Sequence, residues 1–313
     1  PAKMRKVISS ELKDIREKYA DERRTRIIKG GVKAINEEDL IPEKESVLVF
    51  TKGGYVKRTD PSEYRTHKRG GVGVIDIEPK EEDFVTMFIL ANTHSDLLFF
   101  TNRGKAYQIK MYDIPEGKRA TKGKSIMNFL SLEGDERVTS ILPIDKEAKK
   151  TVEHLMMVTM TGVVKKVSAE SFKDVRRSGL IAIKLDKGDE LQAALAVSKG
   201  DDVMLATTLG QSIRFKESDV REMGRAAGGV RAIKLGKGDV VIGVDRIPKG
   251  EASLGFLTLS SNGLGKKTNI KEYKTQKRGG SGIKTAKVTP KTGKLIVAKI
   301  VGEENEIIAV SQK

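Results

Sequence analysis

Hydrophobic and polar positions follow a short figure that recurs along this chain. An apolar run is broken by a Thr or Ser three residues ahead of a Gly, and a second, partly basic run follows. The figure appears as "VLVFTKGGYVKR" from Val47, "LLFFTNRGKAYQI" from Leu97, "LMMVTMTGVVKK" from Leu155, "VMLATTLGQSIRF" from Val203 and "LGFLTLSSNGLGKK" from Leu254. Each predicts an antiparallel hairpin whose glycine supplies the positive φ of the turn.

The turn glycines Gly54, Gly104, Gly162, Gly210 and Gly263 lie 50, 58, 48 and 53 residues apart. A second glycine keeps step with the first: Gly73, Gly123, Gly179, Gly229 and Gly282 follow at offsets of 19, 19, 17, 19 and 19. Another short β pattern comes next, then usually an acidic-glycine turn such as "LEGDERV", "LDKGDEL" or "LGKGDVV". Two turns at a near-constant offset, five times over, define a repeat of about 50 residues. The predicted fold is therefore all-β, a propeller-like array of four-stranded blades with units starting near residues 45, 96, 153, 201 and 252. "EIIAVSQK" (Glu306–Lys313) reads as the opening strand of a sixth unit that has been cut away.

Residues 1–43 follow a different pattern. "VISSELKDIREKYADERRTRI" (Val7–Ile27) is dense in helix formers, with Ile8, Leu12, Ile15 and Tyr19 at helical spacing and Ser9 or Ser10 as the expected N-cap. Its charges, Arg16, Lys18, Arg23, Arg24 and Arg26 among them, read as a solvated face. The segment Lys29–Ser46 reads as a connector, in which "DLI" is expected to add a strand to the array. The chain starts at Pro1 and stops abruptly, which suggests a piece of something longer.

Composition narrows the function. The 313 residues hold 59 Lys+Arg against 43 Asp+Glu, a net charge of +16, well above the roughly 2–8 that keeps a small domain soluble. Such an excess suits a polyanionic partner. There is no Cys, and the three histidines, His67, His94 and His154, are scattered, so disulfides and thiolate or histidine metal sites are not expected. No apolar run approaches a membrane span and no signal-peptide pattern opens the chain, so a cytoplasmic setting is expected.

The charge is also phased. Between the two glycines of every unit lies a loop with paired cations: Lys68 and Arg69; Lys118, Arg119 and Lys122; Arg176 and Arg177; Arg221 and Arg225; Lys277 and Arg278. In a radial fold these loops occupy one station per blade and form a continuous positive stripe. The first and last copies are nearly identical, "YRTHKRGGVGV" at Tyr64–Val74 and "YKTQKRGGSGI" at Tyr273–Ile283. Gly70, Gly71 and Gly73, with Gly279, Gly280 and Gly282 behind Gln276, either let the main chain approach phosphates or simply permit a tight turn. Aromatic residues make up 5% of the chain, mostly inside strand runs, which favours duplex DNA held by its backbone over stacked single strands. Tyr64 and Tyr273 read as packing residues.

No catalytic constellation emerges. "GKS" at Gly123–Ser125 lacks the upstream glycine of a Walker loop, and pairs such as Asp201–Asp202 and Glu81–Glu82 read as solvated turn charges rather than magnesium ligands.

From about Lys44 onward the chain resembles the C-terminal domain of the A subunit of bacterial DNA gyrase, a type IIA topoisomerase. The likeness is carried by "GGYVKRTDPSEYR", by "EEDFVTMFILANTHSDLLFFTNRGKAYQIKMYDIPEGKRATKGKSI", by "GDDVMLATTLGQSIRFKESDVREMGRAAGGVRAIKLGKGD" and by "NGLGKKTNIKEY". The resemblance implies a β-pinwheel of six blades that exchange strands, with duplex DNA wrapped around the basic rim so that the holoenzyme introduces negative supercoils. It places the cleavage tyrosine in the rest of the homodimeric A subunit. The ATP site it places in the B subunit, so this chain by itself is expected to hold no catalytic group, ATP or Mg²⁺. The family box Gln-[Arg/Lys]-Arg-Gly-Gly-[Arg/Lys]-Gly is departed from at His67 and Val72 in the first unit and only at Ser281 in the fifth. The related domain of topoisomerase IV, with a degraded box, is the second reading; a protein-interaction propeller is the third.

Overall fold

A computed structural model describes residues 2–22, 24–25, 37–64, 83–303 and 305. The chain divides into two units, Pro1–Ile41 and Pro42–Lys313.

In the first unit a helix α1 spans Ala2–Tyr19, with every residue exposed. It begins earlier than expected because Ala2, Lys3, Met4 and Arg5 are themselves helix formers, so Ser9 and Ser10 sit inside it rather than capping it. Arg16 and Lys18 lie in the last turn, where the carbonyl end of the helix favours cations. The expected strand at "DLI" does not form. Glu37–Leu40 is instead one 3₁₀ turn, with the Ile41 N–H donating to the Glu38 carbonyl over 3.2 Å.

The second unit is a five-bladed β-propeller of small antiparallel sheets. In chain order the strands are β1 (Glu45–Thr51), β2 (Tyr55–Thr59) and β3 (Val85–Asn92), then β4 (Asp96–Thr101), β5 (Lys105–Lys110), β6 (Lys124–Ser125) and β7 (Val138–Ile144). Next come β8 (His154–Thr159), β9 (Val163–Ser168), β10 (Leu180–Ile181) and β11 (Leu191–Val197), then β12 (Asp202–Thr207), β13 (Gln211–Lys216), β14 (Val230–Arg231) and β15 (Val241–Ile247). The last are β16 (Gly255–Ser260), β17 (Gly265–Asn269), β18 (Ile283–Lys284) and β19 (Leu295–Val301).

Sheet order shows that the blades exchange strands. The first blade runs β3-β1-β2-β6, the second β7-β4-β5-β10, the third β11-β8-β9-β14 and the fourth β15-β12-β13-β18. The fourth strand of each comes from the following repeat. The fifth blade shows three strands among the described residues, β19-β16-β17. Residues 306–313, read as the start of a sixth unit, lie outside the described residues.

The hairpin's first strand is apolar without alternation because both its faces are covered. Leu97 and Phe99 of β4 pack into a core shared with Leu48 and Phe50 of the blade before. Leu98 and Phe100 pack with Leu155 and Met157 of the blade after. Met156 and Val158 face Val203 and Leu205 in the same way, and Met204 and Ala206 face Phe256. A strand between two neighbours has no solvent face, which removes the period-two signal.

An aspartate two residues ahead of each of β3, β11 and β15 caps a hairpin. Thr51 Oγ1 donates to Asp83 Oδ2 at 2.7 Å, Thr161 Oγ1 to Asp189 Oδ2 at 2.6 Å and Thr208 Oγ1 to Asp239 Oδ1 at 2.9 Å. Asp201 is not a solvated turn charge. It is buried and accepts from the N–H groups of Ser198 and Lys249, and its neighbour Asp202 pairs with Arg214 at 2.8 Å.

Candidate nucleic-acid interface

Which edge of a blade faces outward follows from the packing. Strands β7 and β11, β11 and β15, and β15 and β19 touch across blade boundaries, so this edge of the second to fifth sheets lies inward. Gly243 of β15 is there because a Cβ would stand 2.6 Å from that of Ala298 on β19. The exchanged strands β6, β10, β14 and β18 form the opposite, outer edge, and the basic loops lead directly into them.

The second glycine of each repeat marks the crossing. Gly123, Gly179, Gly229 and Gly282 all have positive φ, between 70° and 103°. A Cβ on Gly123 would lie 2.5 Å from the Val56 carbonyl oxygen, and one on Gly229 2.7 Å from that of Val164. The corresponding atoms on Gly179 and Gly282 would collide with the Tyr107 ring and the Ser212 carbonyl. These glycines let one repeat lie against the previous blade's main chain.

Gly279 also needs its positive φ of 85°, but a Cβ there would meet nothing closer than the Arg231 carbonyl oxygen at 3.7 Å. At Gly280 the nearest atom would be 3.9 Å away. Packing does not demand a glycine at that position. Gly70, Gly71 and Gly73, with Lys68 and Arg69, lie outside the described residues.

Each described loop is stapled to the blade before it. Arg119 Nη1 donates to the Glu63 carbonyl at 3.0 Å, Arg177 Nη2 to Asp113 Oδ2 at 3.0 Å, Arg225 Nη1 to the Ser171 carbonyl at 3.1 Å and Arg278 Nε to the Asp219 carbonyl at 2.9 Å. Glu63, Asp113, Ser171 and Asp219 each stand nine residues after their turn glycine. The four guanidinium groups thus occupy one equivalent place per junction.

The loops are also linked to one another. Ser131 N–H donates to the Arg177 carbonyl at 3.1 Å, Lys184 N–H to that of Ala227 at 3.2 Å and Lys234 N–H to that of Gly280 at 2.8 Å. Each bond joins the segment behind one exchanged strand to the basic loop of the next repeat.

Side chains differ in how free they are. Lys118, Lys122, Arg176, Arg177, Arg221, Arg225 and Lys277 are exposed, whereas Arg119, Gln276 and Arg278 are half-buried. Lys122 Nζ sits 4.0 Å over the Tyr55 ring, and Lys277 pairs with Asp219 at 2.9 Å. Tyr273 is buried edge-on against Phe256, and Tyr64 packs edge-on against Phe88.

Further exposed cations escaped the sequence reading. Lys184, Lys234 and Lys287 each stand five residues after the second glycine, a spacing that would have revealed them, and Lys124, Arg231 and Lys284 lie on the exchanged strands. Beneath the surface, Lys57 and Lys165 are fully buried on β2 and β9. Burial, reinforced by Arg225, pushes the Lys165 ammonium down to about 8. Among the described residues no group of three or more His, Asp or Glu could hold a metal ion.

The family model described as DNA gyrase C-terminal domain, beta-propeller, matches residues 45–91, 95–145, 153–198, 201–248 and 256–301, one segment per blade. The chain belongs to this family. It is 45% identical over 305 residues to the DNA gyrase A subunit of Clostridium acetobutylicum, and 40% identical over 305 residues to that of Lawsonia intracellularis. Both alignments cover 97% of this chain, and it spans 36% and 37% of those two relatives' length. A solved DNA gyrase A C-terminal domain superposes with a TM-score of 0.72 at 29% identity, covering 83% of this chain and 84% of the other. The C-terminal domain of DNA topoisomerase IV has the same fold, with a TM-score of 0.65 at 22% identity over 84% of this chain and 79% of the other. The gyrase-type propeller thus accounts for the repeat and its strand exchange.

Proposed function

We propose that this chain is the part of a gyrase A subunit that binds duplex DNA by its backbone and wraps it around the propeller's outer edge, enabling negative supercoiling by the whole enzyme. The observation that carries the reading is the succession of basic loops. Four described loops hold equivalent outer positions, and hydrogen bonds run from one repeat to the loop of the next. The near-identical box Lys68-Arg69-Gly70-Gly71 is the natural fifth member.

Energetics favour a shared surface over isolated sites. Turning a duplex through half a circle over about 40 base pairs costs on the order of 10 kcal/mol. Non-specific binding alone supplies roughly 5–8 kcal/mol. One loop cannot hold the bend, whereas several in register can. In this reading the rest of the homodimeric A subunit supplies the cleavage tyrosine. The B subunit supplies ATP hydrolysis, and the setting is cytoplasmic.

The deciding experiment relaxes and religates nicked plasmid in the presence of the chain. A positive shift in linking number is expected. Duplex binding without any shift would overturn wrapping and favour the segment-capture role of a topoisomerase IV domain; no duplex binding at low salt would overturn DNA recognition altogether and revive a protein-interaction role.

A further inference from the structure

We propose that Lys57 and Lys165 are positioning residues that turn the main chain of two DNA-facing loops, those of the second and fourth repeats, into a phosphate-accepting conformation. The proposal rests on the DNA-binding reading of the outer edge. Both lysines stand three residues after a turn glycine, Gly54 or Gly162, on the strand that receives the exchanged strand. Their exposures are 1% and 0%, in the middle of a blade where an ammonium is out of place unless it is fully engaged.

What engages them is the following repeat. Lys57 Nζ donates to the carbonyls of Arg119, of Thr121 at 3.0 Å and of Lys118 at 3.4 Å. Lys165 Nζ donates to the carbonyl of Arg225 and to that of Ala182 at 2.8 Å. Arg119 and Arg225 are equivalent residues, each four positions before its second glycine. The same two residues send their guanidinium groups to the equivalent carbonyls of Glu63 and Ser171. Each loop is therefore gripped twice, from within through its carbonyl and from beside through its side chain.

The alternate junctions are built differently. At the lysine position the second blade has Tyr107, whose hydroxyl donates to Glu136, and the fourth has Ile213. Only the odd-numbered junctions, first to second and third to fourth, place a buried cation under the loop among the described residues.

This matters for a phosphate because carbonyl oxygens facing it repel it. Drawing the carbonyls of Lys118, Arg119 and Thr121 inward onto one ammonium clears them from the outer surface. It leaves the exposed Lys118 and Lys122 side chains there, and the buried charge adds to the outward positive field through a poorly screened interior. A lysine needed only for packing would be replaced without loss by methionine, which fills the same stem volume and cannot hold carbonyls.

The test uses the whole chain with Lys57→Met and Lys165→Met, read by amide hydrogen exchange and by titration with a duplex of about 40 base pairs. We expect exchange in residues 117–123 (for Lys57→Met) or 224–229 (for Lys165→Met) to accelerate about tenfold, with residues 276–281 unchanged. Duplex Kd should weaken about three- to tenfold, with a shallower salt slope. In a Lys118→Ala/Lys122→Ala background the effect of Lys57→Met on Kd should shrink to the part contributed by the outward-turned carbonyls. If a methionine variant does not fold, Lys57→Gln and Lys165→Gln, which keep a terminal donor, are read the same way and should retain loop protection. A folded methionine variant with unchanged loop exchange and unchanged Kd would overturn the proposal, as would an affinity loss undiminished in the Lys118/Lys122 background. If the unmodified chain fails to bind duplex, the DNA reading falls, while the exchange measurement still decides whether the lysines order the loops.

Discussion

The guanidinium of Arg225 reaches across a blade junction to the carbonyl oxygen of Ser171, 3.1 Å away. Arg119 repeats this bond to Glu63 two junctions earlier. The phased arginines therefore have a structural task that composition alone does not reveal, and they divide the basic residues into two classes. Arg119 and Arg278 are half-buried staples, whereas Lys118, Lys122, Arg176 and Arg221 project toward solvent.

This division predicts distinct phenotypes. Changing Lys118, Lys122, Arg176 and Arg221 together to Ala should leave thermal stability within about 0.5 kcal/mol of the parent. It should also flatten the dependence of log Kd on log salt by about 0.9 for each phosphate that is no longer neutralised. Arg278→Ala should instead cost about 1–2 kcal/mol of stability by removing two bonds, to the Asp219 and Arg231 carbonyls, and should weaken affinity as well. Fluorescence titration with duplex at several salt concentrations, beside denaturant unfolding, separates the two.

The glycines of the fifth loop should part company in the same way. Gly282→Ala places a methyl group against the Ser212 carbonyl at positive φ and should cost roughly 2 kcal/mol or more. Gly280→Ala makes only ordinary contacts, the nearest at 3.9 Å, so its unfolding midpoint should stay put; a fall in duplex affinity there would report close approach of a phosphate to the main chain. Calorimetry on the two variants decides whether this assignment of roles holds.

Lys165 gives the fold a pH dependence of definite sign. Its folded pKa, pushed down to about 8 by burial, lies below the ordinary 10.5 of the unfolded chain. Between these values the unfolded state holds a proton that the folded state has released, so unfolding free energy rises with pH across this window. The contribution is complete above 10.5 and is lost as pH falls through 8. Measured against Lys165→Met, the parent chain should gain relative stability from about pH 7.5 to about pH 10; a flat difference would mean that the ammonium is not held in this environment.

Much of the propeller was legible because its signals are local. Turn glycines with a Thr or Ser three residues upstream, followed at a near-constant interval by another glycine, state the hairpin and the period, and strand starts at Glu45, Asp96, His154 and Asp202 fall within one residue of the units read from the chain. The ends of the helix, which stops at Tyr19 short of the expected Ile27, and the "DLI" segment depart from expectation for a related reason. Both depend on what short stretches of mixed propensity do at an end, where no period constrains them.

Residue order alone was enough to establish the repeat, the hairpins and the phase of the positive charge. That the second glycine of each repeat marks a contact with the previous blade, and with which residue, emerged only from folding in three dimensions. Folding turned Asp201 from a surface charge into a buried acceptor, the loop arginines into staples and two strand lysines into buried donors to carbonyl groups. The physical reason is that a hydrogen-bond donor's partner is chosen by distance in space, and strand exchange brings together groups about 60 residues apart that no local pattern relates.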